Sequence, residues 1–287
     1  MTDQRKTLKD EIKEIRRSRS VSPEDFEMMT GIPLEVAKKL KDGDKFIERF
    51  KLSYTPHSLR ILAGTVTELI EIIDHFLSVL GEKKLGFGGL ARGAELRAKF
   101  EFSAYLLFVL DVFATQHQTH ESRLEIFYVV SNEVLEALQQ ISPEYQESEF
   151  NKDLDKRMDQ YGAFIREPDT IFKVPPDVSV WGLLQENLTK AVAKGGFEKK
   201  EIGKGELTDF LLGKKRMTDK NKPLDIVSVA YGATCHRAAE RYRFIIVELF
   251  TATEDIRHLS VNDLDRILKE ATAKIARLDE EDRNTES

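Results

Sequence analysis

Residues that usually form turns are rare in this 287-residue chain, and their scarcity constrains the fold more than any other feature. The chain contains 16 Gly and 8 Pro, and long stretches, such as 94–142, contain neither. A fold of many strands needs frequent tight turns. Helices need fewer, and apolar residues recur at helical spacing within the long stretches. The sequence therefore predicts an all-α fold.

The composition indicates a folded chain with a sizeable core. Apolar residues make up 41% of the chain and charged residues 33%. The net charge of −6 argues against general binding of polyanions. The charge is uneven, because residues 1–51 carry 13 Lys and Arg against 11 Asp and Glu, while the remainder carries 31 against 39. A small basic excess therefore lies at the N-terminus.

Three features predict a cytoplasmic protein that does not enter a membrane. Cys235 is the only cysteine, so no intrachain disulfide can form, which fits a reducing compartment. The first twenty residues are polar and lack the apolar segment of a signal peptide. The most apolar run, from Phe100 to Ala114, is too short and too charged to span a bilayer, and we interpret it as a buried helix.

Apolar periodicity and helix-capping residues predict the helices along the chain. Residues 44–57 are ambiguous between a helical turn and a loop, and 167–180 and 195–222 are predicted as loops. The predicted helices cover about 8–19, 23–30, 33–40, 57–80, 94–117, 121–141, 147–166, 181–194, 224–254 and 261–279.

Two of these helices have unusually broad apolar faces. Large apolar residues nearly encircle the helix around 100–113, which predicts a central position in a bundle. The stretch 125–137 is also rich in apolar residues, and it is either intrachain core or a face of a homodimer. The sequence leaves these two alternatives open.

Capping residues define a helical corner near the N-terminus. Ser22 is a good N-cap, and Pro23 at the first helical position is followed by two acids. Gly31 ends this helix, and Pro33 begins a second short helix through Leu40, which Gly43 closes. Two short helices joined by a tight glycine turn form the corner of a helix-turn-helix.

The segment from Ile12 to Gly43 resembles the first three helices of the Cro/repressor-type (XRE) helix-turn-helix family. The resemblance covers about one ninth of the chain. Residues of the type usual in the family occur in the first helix, and at the N-cap and the main apolar position of the second helix. They also occur in the turn, on the buried face of the third helix and at its end. They are Ile12, Ile15, Arg16, Ser22, Phe26, Gly31, Ile32, Ala37, Leu40 and Gly43.

The resemblance implies that the helix from Pro33 enters the major groove of duplex DNA, and that the protein forms a homodimer matching two half-sites. Glu35 would accept a hydrogen bond from a cytosine amino group. Pro23, Glu27 and Leu34 depart from the residues usual in the family. The basic residues placed to contact phosphates are Arg16, Arg17, Arg19, Lys38, Lys39 and Lys41.

Other polar segments have simpler structural interpretations. His117, His120 and Glu121 have the spacing of metal ligands, but the segment is better explained as a polar loop after an apolar helix. The glycine-rich run 86–93 does not follow a strand, so we interpret it as a connector. Cys235 and His236 would diverge by about 100° on a helix. The sequence therefore predicts no catalytic residue, no metal site and no cofactor.

The sequence predicts a helix-turn-helix-like domain over 1–56 and an all-α domain over 57–287, with a hinge near 81–93. The leading hypothesis is a DNA-binding transcriptional regulator whose second domain binds an effector or mediates dimerisation. The alternative is a non-enzymatic helical interaction protein whose helix-turn-helix does not bind DNA and binds either a protein partner or nothing. A positive face shared by Arg16, Arg17, Lys38 and Lys39 would favour the first, and its absence the second.

Overall fold

The computed structural model describes residues 7–80, 92–163, 180–192 and 222–285. All regular structure in these residues is helical, which confirms the predicted all-α class. A short 3₁₀ turn at Ile256–His258 precedes the last helix. The α-helices, numbered in chain order, are α1 Leu8–Ser18, α2 Pro23–Thr30, α3 Leu34–Ala37, α4 Gly43–Ser53, α5 His57–Leu80, α6 Arg92–His117, α7 His120–Ile141, α8 Glu147–Gly162, α9 Val180–Val192, α10 Lys222–Ala252 and α11 Val261–Thr285.

Several helices begin at the side-chain caps that the sequence indicates. The Ser22 hydroxyl accepts from the Asp25 N–H at 3.2 Å, and Pro23 occupies the first turn of α2. The Ser260 hydroxyl accepts from the Asp263 N–H at 3.1 Å at the start of α11. Each cap satisfies a backbone donor that the first turn of a helix leaves without an intrahelical partner.

The third helix and its end differ from the prediction. The helix α3 stops at Ala37 and does not continue to Leu40, which is exposed and not part of the buried face. Gly43 does not close α3, because it begins α4. A Cβ at Gly43 would lie 2.1 Å from the Ala37 carbonyl oxygen, so the close approach of α4 to α3 requires glycine here. The ambiguous residues after Gly43 are helical as far as Ser53.

The described residues contain two separate apolar cores. The smaller one lies within α2–α4 and consists of Phe26, Leu34, Ala37 and Phe50. The larger one lies among α5–α11. The helix α6 is central to it, since every residue from Ala98 to Leu110 is buried. This confirms the central position that the sequence predicted for the helix around 100–113.

Polar contacts hold the loop between α6 and α7 against the segment that follows α10. The Gln118 side chain donates from Nε2 to the Thr253 carbonyl at 2.8 Å and accepts from the Ile256 N–H at 2.9 Å. The Thr119 N–H donates to the Glu254 carbonyl at 2.8 Å. The buried Ser58 hydroxyl of α5 donates to the Ile256 carbonyl at 2.7 Å. These bonds hold residues 253–256 against α5 and against the loop between α6 and α7.

Some predictions fall outside the described residues. The glycine-rich connector and the hinge near 81–93 lie outside the described residues, except for residues 92 and 93, which begin α6. The loops predicted over 167–180 and 195–222 lie almost entirely outside as well. Cys235 is described, and its thiol is buried in the larger core. Burial raises the pKa of this thiol well above its usual value.

Candidate functional site

The helix-turn-helix-like corner is formed by α2, a glycine turn and α3. Gly31 adopts φ of 69°, the left-handed conformation that glycine takes without strain, and its N–H donates to the Glu27 carbonyl at 2.8 Å. The Thr30 hydroxyl accepts from the Ile32 N–H at 3.2 Å and closes the turn. Phe26 is fully buried and packs edge-on against Phe50, with ring centroids 4.8 Å apart. The corner is therefore well packed from within.

Two of the arginines predicted to contact DNA phosphates instead contact a carboxylate inside the molecule. Arg16 Nε donates to Glu125 Oε1 at 2.8 Å, and Arg19 Nη1 donates to the same oxygen at 3.0 Å. The side chains of Arg16 and Arg19 are only 12% and 9% exposed, and that of Glu125 is not exposed at all. Both guanidinium groups lie between α1 and α7.

Arg257 and Asp255 complete this group, which we call the Glu125 cluster: Arg16, Arg19, Glu125, Asp255 and Arg257. Arg257 Nη1 lies 3.5 Å from Glu125 Oε2, and its Nε donates to Asp255 Oδ1 at 2.8 Å. Burial alone would lower the pKa of Arg257, but Asp255 and Glu125 raise it above the usual value. Burial, by contrast, lowers the pKa of Arg19, whose Nε has no hydrogen-bond partner among the described residues.

The Glu125 cluster also binds backbone carbonyls at the end of α4. Arg16 donates from Nη1 to the Leu52 carbonyl at 2.8 Å. Arg19 donates from Nη2 to the Lys51 carbonyl at 2.7 Å and to the Tyr54 carbonyl, and its guanidinium lies over the Tyr54 ring, 5.1 Å from the centroid. Carbonyls at a helix end lack intrahelical donors, so the arginines satisfy them. The cluster thus joins α1 and α4 to α7 and to residues 255–257, a structural role.

The other predicted DNA-contact residues lie on the surface. Arg17 pairs with Glu48 at 3.0 Å, and both side chains are more than half exposed. Lys38 pairs with Glu35 at 2.6 Å, and hydrogen bonding to Lys38 lowers the pKa of the Glu35 carboxyl. Lys39 and Lys41 are exposed in the turn after α3. Because Arg16 is enclosed against Glu125, it does not share an exposed positive face with the lysines.

Exposed large apolar side chains concentrate on the same corner. In the part of the chain whose side chains are described, six such residues are exposed, and five of them lie within α2–α4. We call these five the apolar surface: Met28, 63% exposed; Met29, 51%; Val36, 48%; Leu40, 49%; and Phe46, 37%. Single exposed apolar residues are ordinary, but a group of five within nineteen positions is not.

Four residues of the apolar surface lie on α2, α3 and α4, and Leu40 lies in the turn between α3 and α4. Phe46 contacts the Phe26 ring edge-on, with centroids 5.7 Å apart. Met29 lies one helical turn after Phe26, and Leu40 follows the buried Ala37 by three positions. The small core therefore positions the exposed side chains on a rigid base. This arrangement suits contact with an apolar partner and offers no chemistry for catalysis.

The Glu125 cluster and the apolar surface were both missed by sequence reasoning. One signal for the cluster was present, because Glu125 interrupts the apolar stripe of α7 between Ser122 and Val129, which are both buried. A carboxylate at such a position needs cationic partners from elsewhere in the chain. No pattern in the sequence indicated the apolar surface, because Leu40 has the spacing of a residue on the buried face of the family's third helix.

A cavity of about 460 Å³ opens between α6, α8 and α9. Its lining mixes charges of both signs, and Arg157 Nε donates to Glu101 Oε2 at 2.6 Å within it. Among the described residues, no group of three or more His, Cys, Asp or Glu side chains could hold a metal ion. The loop from His117 to Glu121 instead caps α7 through Thr119.

Comparison with known protein families, with curated proteins and with solved structures gives no match to this chain. Among the residues that the structure describes, no helix combines the length and apolar character needed to cross a bilayer. Function must therefore be inferred from the geometry of the corner itself.

Proposed function

We propose that this chain is a non-enzymatic, cytoplasmic interaction protein whose helix-turn-helix-like module binds another protein through the apolar surface. The observation that carries the proposal is the exposure of Met28, Met29, Val36 and Leu40 on one small, well-packed corner. Contiguous exposed apolar patches on soluble monomers are typically no larger than a few hundred Å² and often bind a partner. Methionine suits such contacts because its unbranched side chain adapts to different surfaces.

The electrostatics of the corner support a protein partner over DNA. A DNA-reading helix presents basic and small polar side chains to the groove, whereas α3 presents Glu35 and Val36. Arg16 and Arg19, which would add phosphate contacts, are enclosed in the Glu125 cluster. The surface of the corner is thus better suited to apolar contact than to contact with DNA.

A crosslinking experiment tests the proposal in the cells that express the protein. A photoreactive amino acid is placed at Val36, and a matched one at Glu136, an exposed position on α7 remote in sequence from the corner. We expect a discrete protein adduct at position 36, absent at position 136 and lost when Leu40→Lys is added. Equal adduct formation at both positions, or none at 36, would contradict the proposal.

DNA binding is the second candidate, favoured by three exposed lysines, Lys38, Lys39 and Lys41, that follow the corner of α2 and α3. It requires affinity for duplex DNA that falls steeply with salt, because phosphate contacts release counterions. The test is anisotropy of labelled genomic fragments at low and at physiological salt. The control is a variant that carries Lys38→Glu, Lys39→Glu and Lys41→Glu together. We expect the wild type to show no salt-dependent DNA binding that this variant loses. Such binding would establish the DNA function instead.

A further inference from the structure

The cavity between α6, α8 and α9 is large enough to hold a small molecule. Its volume of about 460 Å³ lies within the range of about 300–1,000 Å³ that is typical of ligand pockets. The apolar side chains of Leu96 and Phe100 and the ring of Tyr145 form part of its wall. Pockets of this kind orient a ligand through a small number of polar groups. The polar and charged groups of the wall therefore indicate the chemistry of the ligand.

One amide on the wall of the cavity is buried and lacks a hydrogen bond. Asn187 of α9 is only 6% exposed, and its Nδ2 has no hydrogen-bond partner among the described residues. Burial raises the pKa of Tyr161 and the nearby Asn187 amide opposes this rise, yet the Tyr161 hydroxyl is also left without a partner there. Folded proteins bury few such groups, because each one costs free energy. The Asn187 amide is therefore a donor available to a ligand that carries an acceptor.

Three of the charged side chains that line the cavity already have partners. Arg157 Nε donates to Glu101 Oε2 at 2.6 Å, and Arg157 Nη1 donates to Gln160 Oε1 at 2.8 Å. Lys190 pairs with Glu186, one turn earlier on α9. The other charged residues of the wall, two cationic and two anionic, form no ion pair or side-chain hydrogen bond within the part of the chain that the structure describes. These four are Arg97, Lys156, Glu149 and Asp153.

The unpaired charges lie towards the mouth of the cavity, because Arg97, Lys156 and Glu149 are exposed while the amide of α9 is buried. Glu149 and Asp153 are one helical turn apart on α8. Burial, followed by the charges of Asp153 and Glu149, raises the pKa of Tyr145, so both carboxylates are near its phenol. An ammonium group would be attracted to both carboxylates. Arg97 and Lys156 offer the matching cations for a carboxylate.

We propose that this cavity binds a free α-amino acid whose side chain ends in an uncharged acceptor oxygen. The ammonium group pairs with Asp153 and Glu149, and the carboxylate pairs with Arg97 and Lys156. The side chain passes inward along the apolar wall, and its oxygen accepts a hydrogen bond from Asn187 Nδ2. A ligand with a single charge would leave either the acids or the bases without counter-ions, and an apolar side chain would leave the amide without an acceptor. The cavity is separate from the apolar surface, so this ligand is independent of the proposed protein partner.

Thermal unfolding and titration calorimetry of the full chain with L-glutamine and L-asparagine at millimolar concentration test the proposal. We expect at least one of them to raise the midpoint of unfolding by a few degrees, because a ligand that binds only the folded state stabilises it. L-Leucine has nearly the shape of asparagine but no acceptor, and the N-acetyl and α-carboxamide derivatives each lack one charge. These analogues should bind at least about tenfold more weakly. No shift with either amino acid, or equal affinity for any analogue, would overturn the proposal.

Substitutions in the cavity test its location. Asp153→Asn and Asn187→Leu should each weaken binding by at least about tenfold, whereas Asp155→Asn, at an exposed position of α8 that does not line the cavity, should bind as the wild type does. Asn187→Leu removes a buried donor without a partner, so the free variant should unfold at the wild-type temperature or above it. Unchanged affinity in both cavity variants, or an equal loss in Asp155→Asn, would contradict the site. If Asn187→Leu fails to fold, the amide serves the fold and is no part of the site, and Asp153→Asn decides whether the cavity binds the ligand.

Discussion

Arg16 Nε and Glu125 Oε1 lie 2.8 Å apart although 109 positions separate the two residues in the chain. The arginine is on α1 and the glutamate is at a fully buried position on α7. Together with Arg19 and Arg257, the pair places positive charge around a carboxylate that has no contact with water. The N-terminal helix α1 and the end of α4 are therefore joined to α7 of the larger bundle through charge.

Replacement of two neighbouring arginines should change stability by very different amounts. Arg16→Ala removes one partner of a buried ion pair, and we expect it to lower the free energy of unfolding by about 3 kcal/mol. Arg17→Ala removes an exposed pair with Glu48, and its effect should stay within about 0.5 kcal/mol. Urea unfolding followed by circular dichroism measures both. Similar losses in the two variants would mean that the cluster does not stabilise the fold.

Glu125→Gln keeps the shape of the side chain and removes its charge. Three guanidinium groups would then lack their shared counter-ion, so we expect a loss of about 3 kcal/mol or more in the free energy of unfolding. Glu136→Gln, an exposed position on the same helix, serves as the control and should change stability little. A wild-type midpoint in Glu125→Gln would exclude a stabilising role for the carboxylate.

Two glycine substitutions should shift stability in opposite directions. Gly43→Ala would place a Cβ 2.1 Å from the Ala37 carbonyl oxygen, which forces α3 and α4 apart. We expect a loss of about 1–3 kcal/mol, typical of overpacking. Gly64→Ala lies in α5 with no atom close to the added Cβ, and it should stabilise the helix by up to about 1 kcal/mol. Thermal unfolding of both variants is the measurement, and a neutral Gly43→Ala would refute the close approach.

Alkaline pH should weaken the corner through Tyr54. Burial and then the neighbouring Asp25 carboxylate raise the pKa of Tyr54 to about 12, above the value of about 10 for an unfolded chain. A raised pKa means that the protonated phenol stabilises the folded state fully below about pH 10, and that this stabilisation is lost as pH rises towards about 12.

The difference in tyrosinate absorbance between the wild type and Tyr54→Phe isolates this titration from those of the other six tyrosines. We expect a midpoint near about 12 in the folded protein and near about 10 in urea. A midpoint near 10 in both conditions would show that Tyr54 is not protected.

The sequence predicted the elements whose determinants are local. The bounds of α5 match the prediction, and the encircled apolar face of α6 correctly indicated its central position. The cap at Ser22 and the turn at Gly31 also depend only on neighbouring residues, and both form as expected. The prediction that Leu40 is on the buried face was wrong. The helix α3 ends one turn earlier than the family resemblance implied, so helical periodicity no longer applies at Leu40.

The Glu125 cluster could not be predicted from local patterns. Its members come from α1, α7 and the segment after α10, and no periodicity links positions so far apart. On an isolated helix, Arg16, Arg17 and Arg19 are equivalent basic residues, and only the packed structure distinguishes the enclosed pair from the exposed Arg17.

The order in which the cluster residues are synthesised has a consequence for folding in the cell. Arg16 and Arg19 leave the ribosome before Glu125, and Arg257 follows Glu125 by more than a hundred positions. The corner has its own small core and can form early, but the Glu125 cluster gains its final cation only after residue 257 has been synthesised. A nascent chain stalled before residue 257 should therefore hold its first helix more loosely than the released protein does.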